Sequence, residues 1–255
     1  MALAVIVRKI HHVGIVVEKL TRAYGFYRDT LGLPLLREVE IKDQGVRAAL
    51  LGARESEIEL IEPVEAGTGL DRFLEKRGEG LHHLCFETED VGASLRRLKA
   101  SGVALIDETP RAGLAGRIGF LHPRACAGVL VELATPLSAS HSETSPLRLK
   151  RVVIGSHDPK ETARVFQRLF ALPEQSMNGG PRMMLSVGRG ALLLVPAHEV
   201  GGLEGMVALS VVAEDLDAVS DRLRSAGAAM LSGAGELTVE PHSSHGVHLH
   251  ISRYD

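Results

Sequence analysis

Aromatic residues are scarce in this chain: tryptophan is absent, and Phe, Tyr and Trp together make up 4% of the 255 residues. The formal net charge is −3. The sequence therefore has neither the basic excess nor the stacking rings that a nucleic-acid surface requires. Only two cysteines occur, Cys85 and Cys126, and they form no C-x-x-C pair. That usage fits a reduced, cytoplasmic setting, with both thiols as small core fillers. Long hydrophobic runs are missing as well. The apolar start Met1–Val7 meets Arg8 at once, which is too short for a signal peptide or a membrane span and reads as the lead-in to a strand. No P-loop or dinucleotide fingerprint is present. What remains is an ordinary globular composition, 45% hydrophobic and 24% charged, in a length that suits one large domain or two smaller ones.

The pattern that is present is internal repetition. His11-His12-Val13-Gly14-Ile15-Val16-Val17 is a strand-like run that leads into a helix-like stretch from Leu20 to Leu31. His82-His83-Leu84-Cys85-Phe86-Glu87-Thr88 does the same before a helix from Val91 to Ser101. Each helix meets a glycine, Gly32 or Gly102, the expected stop. Short apolar strands follow in both units: 46–51 and 58–61 in the first, 118–122 and 129–133 in the second. A Ser/Thr/Pro-rich stretch at 137–149 has linker composition. The pattern then restarts at Val152-Val153-Ile154-Gly155 before a helix from Glu161 to Leu172, and again at Gly205–Leu209 before Glu214-Asp215-Leu216. Four similar units, grouped two and two, divide the chain into residues 1–136, a linker at 137–149, and residues 150–255.

Polar residues stand at matching places in the first two units. His12 and His83 lie on the opening strands, 71 residues apart, and Glu59 and Glu132 lie on the closing strands, 73 apart. Two repeats related by an approximate two-fold axis bring all four towards that axis. Imidazole with carboxylate suits a divalent transition metal, and four such ligands leave two positions of an octahedral shell for a bidentate oxygen substrate. Two neutral imidazoles and two carboxylates also balance the charge of a +2 ion. In the doublets His11-His12 and His82-His83, adjacent strand residues face opposite sides, so one member of each should reach the axis, and the pattern does not say which.

On these residues the chain resembles the vicinal oxygen chelate superfamily, and residues 8–136 resemble its methylmalonyl-CoA epimerases. The matching segments are His11–Ile15, Phe26-Tyr27-Arg28-Asp29-Thr30-Leu31-Gly32, Gln44-Gly45-Val46, Gly80–Leu84, and Phe120-Leu121-His122-Pro123 leading to Gly128–Leu133. The resemblance implies an α+β fold in which four βαβββ modules pair into two domains with cupped mixed sheets. It selects His12 and His83 from the doublets and sets Glu59 and Glu132 at the remaining metal positions, for Co2+, Zn2+, Mn2+ or Ni2+. It further implies epimerisation of methylmalonyl-CoA or a related 2-substituted acyl-CoA through a metal-stabilised enolate. Glu132 then serves as one base, and Glu59 or an acid within Glu38–Asp43 as the other. Two departures stand out: Glu59 occupies a position where bacterial epimerases often carry Gln, and Ala48 occupies one where several carry an acid. The glycine-bearing loop 113–116 reads either as a flap over the substrate or as a plain strand connection.

The second half aligns without the metal set. His12 falls against Val152 (or Arg151 with a one-residue shift), Glu59 against Leu192, His83 against Ala208, and Glu132 against His250. Residues 150–255 therefore read as a degenerate, metal-free copy, suited to an intrachain pseudo-dimer or to a homodimer. His248 and His250 share a strand face, but the half offers them no further ligand. The competing functions are a glyoxalase-type isomerase or lyase with the same metal, an Fe(II) extradiol dioxygenase, and a non-catalytic small-molecule-binding protein.

Overall fold

The computed structural model describes residues 4–137, 144–177 and 179–254. In the first half the apolar runs form β1 (Val7–Val16), β2 (Leu35–Ile41), β3 (Val46–Ala53), β4 (Ser56–Pro63), β5 (Gly80–Thr88), β6 (Arg111–Gly113), β7 (Gly116–Leu121) and β8 (Val131–Thr135). The second half supplies β9 (Leu147–Ser156), β10 (Glu174–Gln175), β11 (Met183–Val187), β12 (Gly190–Pro196), β13 (Gly205–Ala213), β14 (Met230–Gly233), β15 (Glu236–Val239) and β16 (His248–Ser252). Each set makes one eight-stranded sheet, ordered β2-β3-β4-β1-β5-β8-β7-β6 and β10-β11-β12-β9-β13-β16-β15-β14. The second order is the first with every strand eight places on. The α+β architecture of four βαβββ modules expected from the repeats is the observed one.

Among the described residues five α-helices accompany the sheets: α1 (Leu20–Tyr24), α2 (Gly69–Arg77), α3 (Val91–Ala100), α4 (Pro159–Phe170) and α5 (Leu216–Ser225). Three of them start on the same device. Asp90, Asp158 and Asp215 each accept a hydrogen bond from the backbone N–H three residues on, which satisfies a donor the helix itself leaves open. The helix expected over 20–31 is shorter as an α-helix, because Gly25–Thr30 widens into a π-helical turn. There Leu31 N donates to Phe26 O at 2.9 Å, a five-residue step, and Phe26 and Tyr27 are both turned inward. Gly32 then leaves the helix at φ +79°. Helix α2 was not expected. It buries no residue and rests on Thr68, whose side chain accepts from Asp71 N.

Two compact units divide the molecule. One comprises Met1–His12, His83–Ser140 and Arg151–Val207, so it joins the second and third modules. Here α4 packs Phe170 against Phe86 with ring centroids 5.1 Å apart, and Phe166 stands beside Phe170 at 6.0 Å. All three rings are fully buried, and Val5 N ties the leading segment to Leu169 O at 2.8 Å. The other unit comprises Val13–His82, His141–Lys150 and Ala208–Asp255, joining the first and fourth modules. Its fastenings are polar: Tyr27 Oη donates to Ser244 O at 2.9 Å, Arg222 Nε to Thr30 O at 2.8 Å, and His245 Nδ1 meets Glu79 Oε2 at 2.8 Å. Of the linker expected at 137–149, residues 138–143 lie outside the described residues. Ser145, beyond them, is buried and donates to Leu147 O. Among the described residues no helix is long and apolar enough to cross a membrane.

Candidate metal centre

Strand β5 runs parallel to β8 with Cys85 opposite Glu132, and β8 runs antiparallel to β7 with Glu132 opposite Phe120. Same-face neighbours on adjacent strands stand close enough to interact, so this register gathers His83, Cys85, Glu132 and Phe120. His12 of β1 joins them. Its Nε2 lies 3.0 Å from His83 Nε2, and the rings meet edge to face. Glu132 faces both, with Oε1 3.9 Å from His12 Nε2 and Oε2 3.6 Å from His83 Nε2. One ligand atom from each of His12, His83 and Glu132 falls within 4.8 Å of the others. None of the three residues is more than 3% exposed.

Burial on that scale is unfavourable for polar groups unless they are partnered. It holds His12 well below the ordinary imidazole pKa, first by desolvation and then by the neighbouring His83 and His11 rings. A neutral imidazole is what a divalent cation binds. The spacing fits too: two nitrogens each about 2.1 Å from one ion, in adjacent positions, stand roughly 3.0 Å apart. Two imidazoles and a carboxylate with converging lone pairs are a donor set for such an ion. Phe120 closes one side, its ring edge-on to His83 at 5.3 Å, and Arg111 lies over the same ring at 5.4 Å.

Of the four expected ligands, His12, His83 and Glu132 are brought together within one compact unit. Glu59 sits on β4 opposite Leu50, 7% exposed, and belongs to the other unit. The alternation argument accounts for one doublet and not for the other. His82 stacks edge-on against Phe73 of α2 at 5.1 Å. His11, however, is as buried as His12, and its Nδ1 lies 2.9 Å from His12 Nδ1. Cys85 is also more than a core filler. Its Sγ donates to Glu132 Oε1 at 3.4 Å, and it forms a second close donor group with His11 and His12. A period-2 reading of β5 would have found it, since positions 83 and 85 share a face. Cys126 is the buried spectator expected, its thiol pushed up to about 12 by desolvation.

The acids considered as a second base are differently engaged. Glu38 accepts a 2.6 Å hydrogen bond from Tyr24 Oη, Glu40 lies 3.9 Å from Arg47, and the side chain of Asp43 is outside the described residues. Ala48 is buried on β3 between Val39 and Ile61. Loop 113–116 is a tight hairpin turn between β6 and β7. Its Leu114 and Ala115 are buried, and Ala115 packs with Cys85, Ile118 and Ala134.

In the second half the equivalent register holds. Ser210 stands opposite His250 where Cys85 faces Glu132, and Leu192 stands opposite Val152. Val152, Leu192 and Ala208 are buried apolar residues. His250 is exposed, with Nδ1 3.0 Å from Thr238 Oγ1. Among the described residues, neither close donor group includes His248 or His250.

Comparison with known proteins follows this geometry. The glyoxalase/bleomycin resistance protein/dioxygenase superfamily pattern matches residues 11–120. An ethylmalonyl-CoA/methylmalonyl-CoA epimerase of Cereibacter sphaeroides is 37% identical over 49% of this chain and 96% of its own length. A solved methylmalonyl-CoA epimerase, in complex with methylmalonyl-CoA and NH4+, is 36% identical with a TM-score of 0.51 over 53% of this chain and 99% of that one. A variant of 4-hydroxymandelate synthase from Streptomyces coelicolor shares the fold over 96% of this chain and 92% of its own, with a TM-score of 0.72 at 18% identity. Doubled modules, a buried His/His/Glu centre and these similarities agree: the chain belongs to the glyoxalase/bleomycin resistance protein/dioxygenase superfamily, the vicinal oxygen chelate proteins.

Proposed function

We propose that the chain is a metal-dependent epimerase of methylmalonyl-CoA or a related 2-substituted acyl-CoA. The observation that carries the reading is the convergence of His12, His83 and Glu132 in a buried cluster, together with the chain's similarity to epimerases across the half that holds them. His12 and His83 would hold the cation with Glu132, and Glu59 is assigned as the fourth ligand from its matched place in the repeat. Such a cation supplies Lewis acidity to the thioester oxygen. The chain's own part is proton transfer. Glu132 takes the proton from the carbon between thioester and carboxylate and becomes the acid, the C–H electron pair moves onto the thioester oxygen as an enolate, and the opposite face takes a proton from Glu59, which enters the step as the carboxylic acid and leaves it as the carboxylate. Both carboxylates are largely shielded from water. Residues 150–255 act as a metal-free companion domain, whether the protein is a pseudo-dimer or a homodimer.

The test is hydrogen exchange. Metal-loaded protein in heavy water should place deuterium on the α-carbon of methylmalonyl-CoA. Glu132→Gln should slow this by roughly 10²- to 10⁴-fold, the usual weight of a general base, and chelation should abolish it. No exchange with one equivalent of metal bound would remove the epimerase reading. The glyoxalase-type alternative, which Glu59 favours, would then be tried on hemithioacetals.

A further inference from the structure

His11 stands beside the buried cluster without a part in that reaction. We propose that it is a positioning residue: it accepts a hydrogen bond from His12 Nδ1–H and so fixes the tautomer that leaves His12 Nε2 free for a cation. The inference rests on the metal reading above and deepens it.

A neutral imidazole carries one N–H and one lone pair. His12 Nδ1 lies 2.9 Å from His11 Nδ1, and His12 Nε2 lies 3.0 Å from His83 Nε2. The single proton of His12 therefore points either towards His11 or towards His83. If it sits on Nε2, the edge facing His83 and Glu132 holds an N–H and is closed to a metal. If it sits on Nδ1, the Nε2 lone pair faces the other two ligands. In that state Nδ1–H needs an acceptor at 2.9 Å, and His11 Nδ1 is there. His11 in turn must keep its own proton on Nε2. Both rings are 2% exposed or less, so water is a poor substitute for the acceptor, and an unmet buried N–H is costly. Metal-bound histidines ordinarily give their second N–H to a carboxylate, a carbonyl or water. Here a neighbouring imidazole fills that place, on the adjacent residue of the same strand.

The test uses the full-length protein and Co2+ alone, read by calorimetry and by the visible spectrum of the bound ion. His11→Leu removes the acceptor and should weaken Co2+ binding about 10- to 100-fold, the range for loss of an outer partner. His11→Asn keeps an oxygen acceptor and should restore affinity to within a few fold, with the wild-type spectrum. Far-ultraviolet circular dichroism of the metal-free variants checks that the fold is kept. Should His11→Leu not fold, ¹⁵N NMR of zinc-loaded wild type decides, with the expected pattern being a proton on His12 Nδ1 and on His11 Nε2. Wild-type affinity in His11→Leu, or a proton on His11 Nδ1, would overturn the proposal. So would a changed Co2+ spectrum in His11→Asn, which would make His11 a ligand. Failure of wild type itself to bind one Co2+ would bring down the metal reading, and the inference with it.

Discussion

Two stretches of this molecule occupy the same place in the same sheet and do different things. On one, His12, His83 and Glu132 converge with little exposure; on the other, Val152, Ala208 and His250 hold the matching positions. Strand order and register are kept while the donors are lost. Fold and chemistry are thus separable here. The sheet is specified by its apolar faces and its turns, and a handful of side chains adds the site at a cost in desolvation. The apolar copy carries no such cost.

Breaking that contrast gives the largest effect. Replacing His12 and His83 by Ala should abolish stoichiometric Co2+ or Zn2+ binding, a loss beyond the 100-fold typical of outer partners. The same change at His248 and His250 should leave the high-affinity site intact. Calorimetric titration of the two double variants decides it. Binding kept without His12 and His83 but lost without His248 and His250 would mean that the tail histidines, not the first-half centre, take the metal.

The two compact units differ in the same sense, one fastened by aromatic packing and the other by polar contacts. Phe170→Ala removes a fully buried ring that touches Phe86 and Phe166 and should cost about 3–5 kcal/mol. Tyr27→Phe removes only the hydrogen bond to Ser244 O and should cost about 1–2 kcal/mol. Urea unfolding measures both. A smaller loss for Phe170→Ala than for Tyr27→Phe would reverse the assignment of where apolar burial holds the chain together.

Much of this was legible before any coordinates. The repeat spacing points to four modules because each begins on an apolar run that leads into a helix, in three of them through an acidic cap, Asp90, Asp158 or Asp215. Two repeats with the same donors in the same place marked one His of each doublet and Glu132 as ligands, and the family resemblance selected His12 and His83. What escaped had weak local signals. Strand β2 is exposed along most of its length, and α2 buries nothing, so neither shows a periodic apolar face. The π-helical turn at Gly25–Thr30 depends on Phe26 and Tyr27 finding core space, a tertiary effect. His11 escaped because alternation allowed one member of the doublet on the axis and the resemblance selected His12, whereas the two rings meet edge to face. The place of Glu59 rests on repeat symmetry.

The contrast between the halves also predicts a pH dependence. His12 is held below its ordinary value of 6.5 by burial and by two neighbouring imidazoles. A depressed pKa means that the unfolded chain takes up the proton first. The stability His12 contributes is therefore complete above pH 6.5 and drains away as pH falls from there towards the depressed value. His250 is lowered as well, first by partial desolvation and then by His248, with Glu236 opposing; because the residue is exposed, solvent screening leaves its contribution with the same sign and a smaller size. The urea midpoint of metal-free protein should fall as pH drops below about 6.5. His12→Asn should flatten that fall more than His250→Asn. An unchanged slope in His12→Asn would show that the imidazole is not held neutral.

The smallest effect is expected at Cys85, the matching position of Ser210 in the other half. Its thiol reaches Glu132 Oε1 at 3.4 Å, and a thiol is a weak donor. Cys85→Ala should therefore change Co2+ affinity by only about 3-fold, well under 1 kcal/mol, because the carboxylate keeps its seat opposite His12 and His83. Yet Cys85 also stands in a close donor group with His11 and His12, and a thiolate there would bind a soft ion strongly. The two roles separate in the spectrum of the Co2+ protein. A cobalt–thiolate charge-transfer band in wild type, lost in Cys85→Ala along with more than 10-fold in affinity, would make Cys85 a ligand. In its absence Cys85 is a partner to Glu132, and the metal centre of the first half is built from nitrogen and oxygen alone.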